Sequence, residues 1–313
     1  MAPTHALLRG PVPAGLDRPQ TEARNDAMRW TPGKISSNIE DRRGSSGGFG
    51  RAGMGLGGGV VLLVLSLVFG HNFFNDVAPG DEGAGAGTGI EANAPPATET
   101  PQEHQRVLFV SFVLDDVQST WAKIFANNGE QYHDAKLVLF RNAVQSGCGV
   151  AQSAMGPFYC PVDQKVYIDL GFYDELINRF GAPGDFAQAY VLAHELGHHV
   201  QHLLGTDARV RQLQDARPDE ANNLSVRVEL QADCYAGVWA NSTEQRKLLN
   251  EGDITEALTA ASAVGDDRIQ QQETGSIHPE SFTHGTAAQR ASWFKRGYTS
   301  GRPDACDTFA GAI

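Results

Sequence analysis

The chain has 313 residues, with 35 Gly, 15 Pro and a formal net charge of −12 at pH 7. That length allows one substantial domain or two small ones, and the Gly and Pro content is too high for compact structure throughout. The acidic balance argues against a nucleic-acid partner. The charge is also uneven: residues 1–53 carry eight Lys/Arg against five Asp/Glu, a net of +3, and residues 54–313 carry 17 against 32, a net of −15. Such asymmetry suggests two environments.

Residues 1–51 are rich in Pro, Gly, Ser and Arg with little periodicity, which predicts a disordered, cytoplasmic N-terminal segment. Met28-Arg29-Trp30 offers a second start site. Residues 52–75 contain no Asp, Glu, Lys or Arg, and Val60 to Phe69 is apolar apart from one Ser. With the Gly-rich approach and Phe73-Phe74, this gives roughly the 20 residues needed to cross a bilayer. A single transmembrane anchor is favoured over a cleaved signal peptide, because the first A-x-A after the apolar run, Ala84-Gly85-Ala86, lies well beyond it. It is favoured over a buried core helix, because the run lacks caps and a polar face. Arg29, Lys34, Arg42, Arg43 and Arg51 precede the span, so the lipid bilayer is an expected partner, with the N-terminus cytoplasmic and the catalytic domain extracytoplasmic. Residues 76–104 then read as a flexible acidic linker, with six acidic residues and no basic one from Asp76 to Glu103. The folded domain is expected over 105–313.

Within it the coarse pattern is α+β and mainly helical. Arg106 to Asn127 has apolar residues at helical spacing, including Val110, Leu114, Val117, Trp121 and Phe125. Lys136 to Ala143 is a candidate strand, and Pro157 to Leu170 another or a pair, with Val166, Ile168 and Leu170 alternating. Phe172 to Phe180 predicts a short helix. Ala182-Pro183-Gly184 is a break, with Asp185 a plausible N-cap for the next helix. A small sheet beside that helix would offer an extended peptide an edge to pair with.

The helix itself, Asp185 to Leu204, carries His194, Glu195 and His198 as H-E-x-x-H. One helical turn separates the two histidines on a single face, so both imidazoles can meet one zinc ion, with Glu195 beside the metal. Gly197 would let another backbone come close. A core helix whose histidines merely find hydrogen bonds accounts for three fixed positions about as well, so a third ligand decides. Downstream, Ser225 to Ala240 is again helical, with Glu229 and Asp233 one turn apart. Glu229 could complete a His-His-Glu set, and Asp233 could accept from the far nitrogen of a ligand histidine and fix its tautomer. His199 and His202 fall off the ligand face and read as surface or supporting residues.

Together HELGHH, ELQADCYAGVWA and SFTHGTAAQRASWFKRGYTSGRPDACDTF, behind MRWTPGKISSNIEDRRG and a membrane anchor, make the chain similar to the putative neutral zinc metallopeptidase family. Its members are bacterial membrane-anchored proteins related to the gluzincins. The resemblance runs from Met28 to Phe309, which leaves the first 27 residues outside the pattern and strengthens the case for Met28 as the start. It implies a zincin-like metallopeptidase domain holding one Zn2+ per chain through His194, His198 and Glu229. It also implies a peptide or protein substrate, hydrolysed with Glu195 as the general base. An oxyanion partner is still needed, for which His284 and Tyr298 are candidates and Arg290 a third. The competing reading is a membrane-tethered binding or scaffold protein with a structural or inactive zinc site.

The four cysteines form no C-x-x-C. In an oxidising compartment they allow two disulfides in three connectivities. Cys148 with Cys160 and Cys234 with Cys306 is the favoured pairing, the second bracing the Glu229 helix; free buried thiols are the alternative.

Overall fold

The computed structural model describes residues 28–44, 99–311 and 313. In chain order its principal elements are β1 (Ile39–Asp41), α1 (Pro101–Asn127), β2 (Lys136–Phe140), β3 (Ala143–Ser146), β4 (Gly149–Gln152), β5 (Phe158–Cys160) and β6 (Lys165–Asp169). They continue with α2 (Phe172–Asn178), α3 (Asp185–Leu203), α4 (Thr206–Ala216), α5 (Ala221–Gln245), α6 (Asp253–Ala263), α7 (Asp266–Thr274) and α8 (Ala287–Ser300). Helices dominate and the sheet is small, as the α+β pattern predicts.

The sheet has the order β1-β2-β6-β5. β2 is parallel to both β1 and β6, whereas β5 runs antiparallel to β6 at the edge. Both faces of β2 are covered, because alternate side chains point to opposite faces. Leu137 and Leu139 join the helical core, while Val138 and Phe140 pack with Val144, Ala151, Cys160 and Tyr167 under the β3–β4 hairpin. The expected strand through Ala143 stops at Phe140, since Asn142 takes a positive φ of 62° where the chain turns into β3. The 157–170 region is a pair of strands, and a disulfide joins Cys148 to Cys160 on β5.

α3 is buried on nearly all sides. It crosses α5 closely at Gly197, where an added Cβ would lie 3.0 Å from the Ala232 carbonyl oxygen. α5 and α8 interlock through Gly237 and Gly297, each set against the partner helix's backbone. The second disulfide, Cys234 to Cys306, ties α5 to the C-terminal turn Pro303–Cys306. Asp185 is the first residue of α3 and not its N-cap. Gly184 holds the cap position with φ 115°, and the Phe186 N–H donates to Glu256 Oε2 at 3.1 Å, so a carboxylate from α6 satisfies the helix start.

Two boundaries differ from expectation. α1 begins at Pro101, with Thr100 Oγ1 accepting from the Glu103 N–H at 3.1 Å, so the expected linker end at 104 falls inside this helix. The disorder expected through residue 51 does not hold for residues 28–44. Met28 is 2 % exposed, β1 pairs with β2, and the Ser36 N–H donates to Ser111 Oγ at 2.7 Å. A three-residue strand with one apolar side chain carries no local signal, because the parallel partner β2 supplies its order. The expected span and most of the linker lie outside the described residues, and among the described residues no helix is long and apolar enough to cross a membrane. β1, which precedes residues 52–75, pairs in one sheet with β2, which follows them.

Candidate metal centre

His194 and His198 on α3 and Glu229 on α5 converge, with their nearest polar atoms all within 4.8 Å of one another. His194 Nε2 is 3.2 Å from Glu229 Oε2, and His198 Nε2 is 3.4 Å from Glu229 Oε1. Tetrahedral ligation at about 2.0–2.1 Å separates neighbouring ligand atoms by about 3.3 Å, so two nitrogens and one carboxylate in this array fit zinc. Both rings already have a use for the other nitrogen. His194 Nδ1–H donates to Asp233 Oδ1 at 2.8 Å, and His198 Nδ1–H donates to Gln201 Oε1 at 2.9 Å. Each arrangement puts the proton on Nδ1 and leaves an Nε2 lone pair directed at the cluster.

Behind the ligands lies a buried polar frame. Asp233, fully buried, also accepts from the Tyr190 hydroxyl at 2.5 Å and from Arg290 Nε and Nη2 at 2.8 and 3.0 Å. Burial alone would lower the His194 pKa, but the charge and hydrogen bond of Asp233 outweigh it and raise the pKa to about 10, so a metal bound at the cluster would displace the proton from Nε2. Burial opposes ionisation of Glu229 too, yet the neighbouring His198 and His194 hold its carboxyl well below the usual range. Gln201 passes the support onward: its Nε2 donates to the Val228 carbonyl at 2.8 Å and to Gln231 Oε1 at 3.1 Å, and Gln231 Nε2 donates to the Cys306 carbonyl at 3.1 Å. The disulfide to Cys234 thus anchors the far end of the His198 chain.

The remaining predicted site residues separate clearly. Glu195, 8 % exposed, stands on α3 beside the ligand pair. His284 lies on the loop over α5: at neighbouring Gly285, φ 90°, an added Cβ would meet Val226 and Leu230, which flank Glu229 on that helix. His284 Nδ1 pairs with Asp266 Oδ1 at 3.0 Å, and Asp266 Oδ2 accepts the backbone N–H groups of Thr283, His284 and Gly285. Burial lowers the His284 pKa, but Asp266 and Glu229 reverse this and raise it. Tyr298 does not join the cluster. Its hydroxyl donates to Glu244 Oε2 at 2.6 Å, and Glu244 lies 15 residues beyond Glu229 on α5, roughly 22 Å along the helix. Arg290 points inward: its guanidinium bonds Asp233 and the Val264 carbonyl, and its Nη2 lies 3.9 Å from Glu229 Oε2. His199 is not a surface residue: it is fully buried, its Nε2–H donating to the His133 carbonyl at 2.6 Å and its Nδ1 accepting from the Tyr159 hydroxyl of β5 at 3.0 Å.

Tyr190, Gln201 and Asp266 were not anticipated as site residues. The signal for Tyr190 exists in hindsight, since it sits one turn before His194 on the same face. A cleft of about 800 Å³ elsewhere on the molecule is lined by Arg43, Glu103, Arg106, Arg141, Asp169 and Asp174, and contains none of the cluster residues.

The chain is 49 % identical over 294 residues to the uncharacterized protein YpfJ of Escherichia coli (strain K12), covering 91 % of this chain and 100 % of that protein. It is 47 % identical over 209 residues to the uncharacterized protein Rv2575 of Mycobacterium tuberculosis (strain ATCC 25618 / H37Rv), covering 63 % of this chain and 69 % of that one. No solved structure matches the chain. The family model described as "Putative neutral zinc metallopeptidase" matches residues 28–309, a stretch that contains His194, Glu195, His198 and Glu229, and the chain belongs to that family.

Proposed function

We propose that the chain is a zinc-dependent peptidase, with one Zn2+ held by His194, His198 and Glu229 and with Glu195 as the general base. The observation that carries this reading is the meeting of two helices at Nε2–carboxylate separations of 3.2 and 3.4 Å, with both Nδ1 atoms already bonded elsewhere. Bound there, zinc supplies Lewis-acid polarisation of the scissile carbonyl and lowers the pKa of a water. Glu195 takes the water's proton and delivers it to the leaving amine. His284, held through Nδ1 by Asp266, offers Nε2–H to the oxyanion that develops on the carbonyl. β5, an edge strand linked to α3 through Tyr159 and His199, supports recognition of an extended peptide by strand addition. The two disulfides support an oxidising compartment as the place of action.

The test is zinc content and cleavage of casein or a peptide library by the whole chain and by Glu195→Gln. We expect one zinc per chain in both, and a fall in kcat of about 10²–10⁴ in the variant. Stoichiometric zinc with no cleavage beyond that of the variant would make the protein a scaffold with a structural metal. A chain that retains no zinc would refute the ligand set.

A further inference from the structure

The two histidines of the cluster are backed differently. Behind His194 stands a carboxylate, Asp233, which accepts from Nδ1–H whichever way it is turned. Behind His198 stands the amide of Gln201, which accepts through Oε1 and donates through Nε2. Turned over, that amide would present hydrogens to His198 Nδ1 and drive the ring proton onto Nε2, the nitrogen that faces Glu229. His194 therefore needs no further direction, whereas His198 needs something that fixes which end of Gln201 it meets.

A chain of buried groups supplies that direction. Both hydrogens of Gln201 Nε2 are used, one on the Val228 carbonyl at 2.8 Å and one on Gln231 Oε1 at 3.1 Å. Gln231 Nε2 in turn donates to the Cys306 carbonyl at 3.1 Å. Backbone carbonyls only accept, so both amides have one satisfied orientation. Reversing Gln201 would set its Oε1 against the Val228 carbonyl. It would also oblige Gln231 to reverse and set its own Oε1 against the Cys306 carbonyl. Gln201 and Cys306 are each 1 % exposed, so an unmade bond here carries the full penalty of a buried polar group. Cys306 is held in place on both sides: its disulfide to Cys234 ties it to α5 about one turn beyond Gln231, and Thr308 Oγ1 donates to the Arg227 carbonyl of the same helix at 2.7 Å.

We propose that Gln201 and Gln231 are positioning residues for the metal centre, passing the direction of the Cys306 carbonyl to His198 and keeping its Nε2 lone pair on the cluster. The proposal rests on the zinc reading of His194, His198 and Glu229, and extends that site to the C-terminal turn Pro303–Cys306.

Zinc affinity of the whole chain, measured by chelator competition, tests it in a double-mutant cycle. Gln231→Met keeps the length of the side chain and removes both hydrogen bonds, and affinity is expected to fall about 10-fold or more. In a Gln201→Met background, where affinity is already reduced, the same change is expected to leave affinity within about twofold, because Gln231 reaches His198 only through Gln201. A loss in that background as large as in the native chain would show that Gln231 acts through general stability, and no loss in the native chain would show that it does not act on the site; either result overturns the proposal. If Gln231→Met does not fold, Gln231→Glu takes its place with the same expectations, since it still accepts from Gln201 but has no hydrogen for the Cys306 carbonyl. A wild-type chain that binds no zinc refutes the ligand set itself, a result distinct from a zinc-binding chain that is indifferent to Gln231.

Discussion

At the residue scale, the candidate metal cluster depends on Asp233 as much as on His194, His198 and Glu229. One carboxylate orients His194, receives the Tyr190 hydroxyl and neutralises Arg290, all out of contact with water. Asp233→Asn keeps the shape but removes the charge, leaving the buried Arg290 without its main counter-ion and His194 without a charged acceptor. We expect zinc affinity, measured by chelator competition, to fall about 10–100-fold, together with a clear loss of thermal stability. Tyr190→Phe removes one of several bonds and should cost only about 1 kcal/mol. His194, His198, Glu229 and Asp233 were legible in sequence because each pair is one helical turn apart, a local relation. The partnerships of Asp233 with Tyr190 and Arg290 span 43 and 57 residues, and no local pattern encodes them. Tyr298 shows the same limit from the other side: an aromatic hydroxyl near a suggestive motif, turned by its position on α8 toward Glu244.

At the element scale, the helices are held at fixed separations by glycines and at their ends by carboxylates. Gly297 of α8 faces the Cys234 carbonyl of α5 so closely that a methyl group has no room. Gly297→Ala must push the two helices apart, and we expect a loss of about 1–3 kcal/mol or more in urea denaturation, against a gain in helix propensity of only about 1 kcal/mol. At the start of α4, burial raises the Asp207 pKa, but the His202 ring, the Ala208 N–H and Arg211 lower it further than burial raises it. The folded pKa is depressed, so Asp207 contributes stability above its unfolded value of about 3.9, and the contribution is lost as pH falls through the folded value. Asp207→Asn should therefore be less stable than wild type at pH 7 by roughly 0.5–1 kcal/mol. Thermal melts should show that gap closing below pH 4. Apolar spacing is local and indicated α1, α2, α3, α5, β2 and the β5–β6 pair, but not α4, α6 and α7, nor the β3–β4 hairpin and β1, whose order comes from what they pack against.

At the scale of the whole molecule, one small sheet joins a segment before the apolar run to the domain after it. We therefore expect residues 28–44 and 99–311 to share a compartment. Lys34 and Asp219 are both exposed, and the described cysteines are all paired. Single cysteines introduced by Lys34→Cys and Asp219→Cys should thus be labelled by a membrane-impermeant thiol reagent from the same side of the cell membrane. Labelling from opposite sides would show that β1 does not pair with β2 in the cell. By itself the sequence determined the helical character of the domain and the four side chains of the metal cluster, because a helix converts spacing along the chain directly into spacing in space. Only the tertiary structure decided that residues 28–44 belong to the domain, that His199 is buried, that Arg290 serves Asp233, and that Tyr298 lies away from the site. Each of these depends on which distant surfaces meet, and the packing of α3 between its neighbours, which cannot be read one segment at a time, sets those meetings.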